Sequence, residues 1–289
     1  MFAPENAASE VEHMATPSPD RVVFETALIE VGEFRCELDH PLFEDSGPIE
    51  NCCVVFPRSG VAIEHEHARS FVANPNVVTL YNPGDRYRRT AISQAGDRSD
   101  WFAVRREHAG RLFPITHAYS SARLYAFQRR LHDAVVRERR IDPLMVEEAV
   151  MSLFDQVFRT IDGDPPPRAD TWRSRKHRDL VEDAMALLST EFTRPLTLTD
   201  IAGRLDVSVF HLCRLFRRGT GWTLHEYRTQ LRLRSSLEGL TTRPEGTVVF
   251  TALDAGYSSH SHYGLAFRRA FGQTPSEFLR APLNCRGGF

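Results

Sequence analysis

Two histidine pairs, each with one residue between, are the groups in this chain best placed by type and spacing to do chemistry. They are His65 and His67 in "GVAIEHEHARSFVANP", and His260 and His262 in "GYSSHSHYGLAFRRAFGQTP". Imidazoles can chelate a metal or hydrogen-bond one ligand only if the backbone turns them to the same side. Val61, Ile63, His65 and His67 alternate with Ala62, Glu64 and Glu66, so a strand puts both rings on one face with the apolar pair, pointing into a barrel. There they could hold a metal ion, hydrogen-bond a small molecule, or be satisfied structural histidines. His260 and His262 open a helix, where residues two apart point about 200° away from each other. They cannot close on one ion and serve better as hydrogen-bonding groups toward an outside partner. Cys52 and Cys53 are neighbours among five scattered cysteines, too few for a disulfide framework. Buried reduced thiols are expected, with a thiol or heavy-metal sensor as the alternative.

The 289 residues, 42% hydrophobic and 26% charged, are ordinary globular composition and imply about two domains. There is no apolar run of about 18 residues and no basic-then-apolar leader, so a cytoplasmic protein with no membrane contact is expected. A formal net charge of -2 argues against non-specific coating of nucleic acid, yet allows a local basic face. Lys176 is the only lysine, so arginine supplies nearly all the positive charge.

The elements that must position these groups fall into two halves. From Val22 to about Phe113, short apolar or alternating runs such as "NCCVVFP", "VVTLYNP" and "WFAVR", punctuated by Gly, Pro, Asn and Asp, predict a β-sandwich or barrel. Leu124, Phe127, Leu131, Ala134 and Val135 then recur at helical spacing. After Asp142-Pro143 so do Val146, Val150, Leu153, Phe154, Val157 and Ile161, giving two antiparallel helices. "DGDPPPRADTWRSRKHRD" reads as a linker. Beyond it a helix spans roughly 180–191, Thr199 caps "DIAGRLD", Ser208 caps "VFHLCRLFRR", Gly219 and Gly221 stop that helix, and a longer one runs from about 224 to 240. Short helix, tight turn, short helix is a helix-turn-helix.

The unit recurs. Shifted by fifty, Ala202 falls on Ala252 and Val207 on Tyr257; shifted by fifty-one, Leu212 falls on Tyr263, Phe216 on Phe267, Arg217 and Arg218 on Arg268 and Arg269, Gly221 on Gly272, and Glu226 on Glu277. In the first copy Val209, Leu212, Leu215 and Phe216 share an inward face, leaving Phe210, Arg214 and Arg217 opposite. In the second, Tyr263, Ala266, Phe267 and Ala270 face in, while Ser261, Leu265 and Arg268 face out. Exposed Phe and Leu among arginines suit contacts with thymine methyls, guanine and phosphate, with a partner-protein surface or a solvated face as the alternative.

"LTLTDIAGRLDVSVFHLCRLFRRGTG", "LRLRSSLEGL" around Arg232 and "GYSSHSHYGLAFRRAFGQTPSEF" resemble the DNA-binding domain of the AraC/XylS family of bacterial transcription regulators, over about a third of the chain. The resemblance implies double-stranded DNA as partner, read by two helices in successive major-groove segments. A linking helix of about seventeen residues is near 25 Å long, enough to hold the reading helices about one DNA turn, roughly 34 Å, apart. It implies base contacts from Phe210, Cys213 and Arg214, then from His260, Ser261 and His262, and phosphate contacts from Arg217, Arg268 and Arg269. Many members carry arginine where this sequence has Leu265, implying apolar or loose readout there. RNA polymerase as a partner, activation of transcription and a homodimer through the helical pair follow from the same resemblance.

The N-terminal half is similar to the cupin-type sensor domain of many such regulators, which implies an unidentified small-molecule effector. Metal-binding cupins add a glutamate after the second histidine and a further histidine on a later strand, but 68–72 offers no glutamate, and His108 and His117 are unplaced. The expected fold is thus α+β: a disordered 1–20, a cupin-like barrel at 21–117, a helical pair at 118–161, a linker at 162–178, an all-α double helix-turn-helix at 179–282 and a tail at 283–289. The alternative is a cupin-type metal-dependent enzyme or metal sensor, with its metal at His65 and His67, fused to a DNA-binding domain. No catalytic residue and no resident cofactor are otherwise expected.

Overall fold

A computed structural model describes residues 18–66, 68–138, 140–163, 175–242 and 248–281. It is mixed α+β, with a β-rich N-terminal half and an all-helical C-terminal half. One sheet has six strands in the order β1 (Asp20–Glu25), β2 (Ile29–Cys36), β9 (Asp97–Val104), β4 (Cys52–Pro57), β7 (Val77–Tyr81) and β10 (His117–Tyr119). The other runs β3 (Asp45–Ser46), β8 (Tyr87–Ala91), β5 (Val61–His65) and β6 (Phe71–Ala73). Because β10 pairs with β7 in the register His117–Thr79 to Tyr119–Val77, the sheet runs two residues beyond 117.

The pleat sorts each strand of the larger sheet to two destinations. Val54, Phe56, Val78, Leu80, Phe102 and Val104 pack with α1 (Ala122–Arg137) and α2 (Pro143–Gly163) in one apolar core. Their alternates Cys53, Val55, Thr79, Tyr81, Ser99, Trp101 and Ala103 line the opposite face, toward the smaller sheet. The helix-facing side also buries charge: fully buried Asp100 accepts from Arg58 at 3.3 Å and Arg129 at 2.9 Å, and Arg58 also pairs with Glu238.

The expected linker is shorter at both ends, because α2 continues to Gly163 and α3 (Arg175–Glu191) starts at Arg175; residues 164–174 lie outside the described ones. The remaining helices are α4 (Leu198–Arg204), α5 (Val209–Thr220), α6 (Leu224–Thr242), α7 (Val248–Asp254), α8 (His260–Phe271) and α9 (Pro275–Arg280). Thr197, not Thr199, caps α4: its hydroxyl accepts from Asp200 N while the Asp200 carboxylate accepts from Thr197 N, a reciprocal pair that Thr199, already inside the helix, cannot make. Gly219 is likewise internal to α5, and Gly221, at φ 78°, is the residue that ends it.

The two halves do not hang apart on a tether. Apolar residues of α6, α7, α8 and α9 join the same core as α1, α2 and the larger sheet. α6 carries the polar seam: Arg234, 1% exposed, donates to Pro75 O at 2.7 Å, Ser120 Oγ at 3.1 Å and Ser120 O at 2.7 Å. Asn74 donates to the Tyr227 hydroxyl at 2.7 Å, and Asn76 to Tyr227 O at 3.0 Å. Tyr227, Arg234 and Glu238 lie seven and four residues apart, one stripe of one helix turned to the N-terminal half.

Candidate functional site

The two helix-turn-helix units repeat down to their backbone hydrogen bonds. Val207 N donates to Ala202 O and Tyr257 N to Ala252 O, each closing the turn. The turn residue takes a left-handed conformation in both, Asp206 at φ 52° and Gly256 at φ 82°. At 256 glycine is required, since a Cβ would stand 2.6 Å from Thr193 O. Ser208 caps α5 by accepting from His211 N, and Ser259 caps α8 by accepting from His262 N; each helix ends on a left-handed glycine, Gly221 and Gly272.

These frames fix which side chains point out. On α5 Leu212, Leu215 and Phe216 are buried, while Arg214, Arg217 and Phe210, the last 77% exposed, face solvent. On α8 Tyr263, Phe267 and Phe271 are buried, and His260, Ser261, His262, Arg268, Arg269 and Leu265, the last 71% exposed, face solvent. Among the described residues Arg214, Arg217, Arg268 and Arg269 form no ion pair, whereas Arg58, Arg89 and Arg129 are spent on buried carboxylates. Cys213 is half-buried against the core of its own unit and less exposed than Phe210 or Arg214. By register Arg214 corresponds to Leu265, so the two units present an arginine and a leucine at one position.

Arg232 stitches α6 to the segment before α4, donating to Phe192 O at 2.6 Å, and Arg228 donates to Leu196 O at 2.8 Å. The first unit is thereby fixed to the helix that leads to the second.

His65 faces inward with Val61 and Ile63, as its alternation predicts, and is 4% exposed. Its ring stacks on Tyr81 with centroids 4.9 Å apart, and its Nε2 makes no hydrogen bond. His67 lies outside the described residues, so the pair as such is not described. His117 does not converge on His65; it stacks on Phe71 at 3.8 Å, and Phe71 stacks on His65 at 6.1 Å. Burial holds both imidazoles below the usual histidine pKa, His117 at about 4. Among the described residues no three His, Cys, Asp or Glu side chains gather as a metal-ligand group. Cys52 and Cys53 are free, buried thiols, and burial pushes Cys52 up to about 11.

A cavity of about 350 Å³ opens between the two sheets. Trp101, Tyr81, Tyr87, Asp20 and Asp97 line it, none of which the sequence had singled out. The sequence signal is weak, because the first four residues of β9, Asp97, Arg98, Ser99 and Asp100, are all polar, and only Asp97 and Ser99 of them fall on the cavity face.

Residues 201–281 match the family described as "Helix-turn-helix domain". Regulatory protein SoxS of Escherichia coli K12 is 32% identical over 102 residues, covering 35% of this chain and 94% of SoxS. The Msm operon regulatory protein of Streptococcus mutans is 28% identical over 104 residues, but only 37% of its length is matched. Among solved structures, ToxT from Vibrio cholerae aligns with 87% of this chain and 96% of its own at 16% identity and a TM-score of 0.35. A regulator with an AraC-type DNA-binding domain from Chromobacterium violaceum aligns with 37% of this chain and 94% of its own, at 28% identity and a TM-score of 0.33. With SoxS matched over nearly its whole length and two helix-turn-helix units in one scaffold, the chain belongs to the AraC/XylS family of DNA-binding transcription regulators.

Proposed function

We propose that α5 and α8 are the two reading helices of a sequence-specific regulator that senses a small molecule through its N-terminal half. Phe210 and Arg214 then contact bases from the first unit, and His260, Ser261, His262 and Leu265 from the second. Arg217, Arg268 and Arg269 hold phosphates. The observation that carries this reading is the pair of large apolar side chains, Phe210 and Leu265, left in solvent on capped helices beside unpaired arginines. They are the two most exposed large apolar side chains among the described residues.

α6, of 19 residues and about 28 Å, separates the two heads by close to the one-turn spacing of roughly 34 Å. A ligand between the sheets reaches α6 through β7 and β9, whose alternate residues face the helices packed on it. Homodimer formation falls to α2 in this reading, because α1 buries most of its length within its own chain, whereas α2 leaves Leu144 and Met151 exposed.

The test is binding of the full-length chain to the DNA upstream of its own gene against random DNA, at two salt concentrations. Arg214→Ala is expected to lose about 1–3 kcal/mol on the specific site. Equal binding of parent and variant to both DNAs would remove α5 from the reading role.

A further inference from the structure

The cavity between the sheets has a one-sided charge. Four carboxylates, Asp20, Glu30, Glu50 and Asp97, are among its lining residues, and no lysine, arginine or histidine is. Two of the four are neutralised from behind: Arg89 pairs with Asp97 at 3.2 Å and Arg105 with Glu30 at 3.1 Å. The other two have no ion-pair partner among the described residues, although Arg89 also acts on Asp20 through space. Asp20 accepts from the indole N–H of Trp101 at 2.7 Å, a neutral donor, and Glu50, exposed at the rim, forms no ion pair among the described residues.

The apolar part of the wall is aromatic and purpose-shaped. Trp101 and Tyr81 share a buried cluster against which Phe34 and Tyr87 pack, and the Tyr81 and Tyr87 rings stand 4.6 Å apart. Opposite Trp101 in the register is Gly32, where a Cβ would fall 2.2 Å from the indole. Glycine there lets the indole lie against the β2 backbone with its N–H turned to Asp20. Arg89 already lies over the Phe34 and Tyr87 rings, at 4.2 and 5.3 Å from their centroids, and His65 stacks on Tyr81, so the ring left to a ligand is that of Trp101. A carboxylate without an ion-pair partner beside that ring repels anions and attracts cations, whose charge also interacts with the ring quadrupole.

We propose that this cavity binds a small organic cation, an amine or quaternary ammonium on an apolar or aromatic body, with its charged end at Asp20 and the Trp101 ring. A volume of about 350 Å³ is at the small end of ligand pockets, so the body is limited to about one ring or its branched equivalent. This assignment rests on the reading of the N-terminal half as the receiver of a small-molecule signal and names the chemistry of that signal.

The probe is benzyltrimethylammonium, compared with its neutral carbon isostere neopentylbenzene and with benzoate, each titrated into the full-length chain by calorimetry and thermal shift. The cation is expected to bind saturably and raise the melting temperature, the isostere to bind at least about tenfold more weakly, and benzoate not to bind. Asp20→Asn and Trp101→Leu are each expected to weaken the cation about tenfold. Where Asp20→Asn does not fold, Glu50→Gln at the exposed rim supplies the charge test. Benzoate or the isostere binding as tightly as the cation, no saturable binding of the cation, or unchanged affinity in the charge variants overturns the proposal. Upstream-DNA binding, measured with each probe present, separates the two readings. A cation that binds without altering DNA binding leaves the site standing and removes its control of the DNA-binding half; benzoate altering DNA binding while the cation does not does the reverse.

Discussion

At the scale of single residues, the second reading head differs from the first most sharply where Leu265 replaces the counterpart of Arg214. A leucine 71% exposed has no counterion chemistry, so Leu265→Ala should weaken binding to the chain's own upstream DNA severalfold and leave the salt dependence unchanged. Leu265→Arg adds a cation facing the DNA, so it should strengthen binding to random DNA and steepen the slope of log K against log salt. Fluorescence anisotropy across a salt series reads both; an unchanged Leu265→Ala would mean that Leu265 reads nothing. Within the barrel, His117 makes a pH prediction. Its folded form is the neutral imidazole, with the pKa pushed by burial from 6.5 to about 4. The unfolded chain therefore takes up the proton first, so this contribution is complete above pH 6.5 and is lost as the pH falls toward 4. Between pH 7 and pH 5 the loss is about 2 kcal/mol, and denaturant melts of His117→Phe should show a correspondingly flatter dependence.

At the scale of elements, the duplicated unit makes one turn a control for the other. Gly256→Ala puts a methyl against Thr193 O at a left-handed φ, and a loss of about 1–3 kcal/mol is expected. Asp206→Gly, at φ 52° in the equivalent turn, should change stability by less than about 1 kcal/mol, because aspartate already tolerates that conformation and glycine removes only its small strain. Thermal melts of the pair decide whether the turns are set by backbone geometry. These turns, the Ser208 cap and the buried faces of α5 and α8 were legible in the sequence because each depends on residues within one helical turn; the Ser259 cap of α8 was not singled out. The cap of α4 was misplaced by two residues because Thr197 and Thr199 both precede an acidic residue, and only the return bond from Asp200 to Thr197 N distinguishes them. The cavity was not legible, since Asp20, Trp101 and Tyr81 come from β1, β9 and β7 and meet only after the sheet has paired.

At the scale of the whole molecule, the seam along α6 holds the two halves together, and it too was hidden in the sequence. Asn74-Pro75-Asn76 reads as an ordinary turn and Arg234 as a solvated helix residue, while the apolar residues of α6 are spread around the helix because it is covered on several sides. In the structure that turn is the socket for α6. Arg234 stays protonated at neutral pH although burial pushes its guanidinium down to about 10, and its charge is shared among the Pro75 and Ser120 carbonyls. α6 also joins the two helix-turn-helix units, so the element held by the β6–β7 turn is the one to which both units are attached. The contact from Asn74 to the Tyr227 hydroxyl isolates this link, since Asn74 belongs to the N-terminal half and Tyr227 to α6. Asn74→Ala and Tyr227→Phe, alone and combined, form a cycle in which a coupling of about 0.5–3 kcal/mol is expected from denaturant melts. Additive losses would mean that the halves are not docked through this turn in solution. If the coupling is present in free protein and falls when the upstream DNA is bound, then DNA and the N-terminal half compete for the position of α6, and by linkage whatever tightens the socket weakens the grip on DNA.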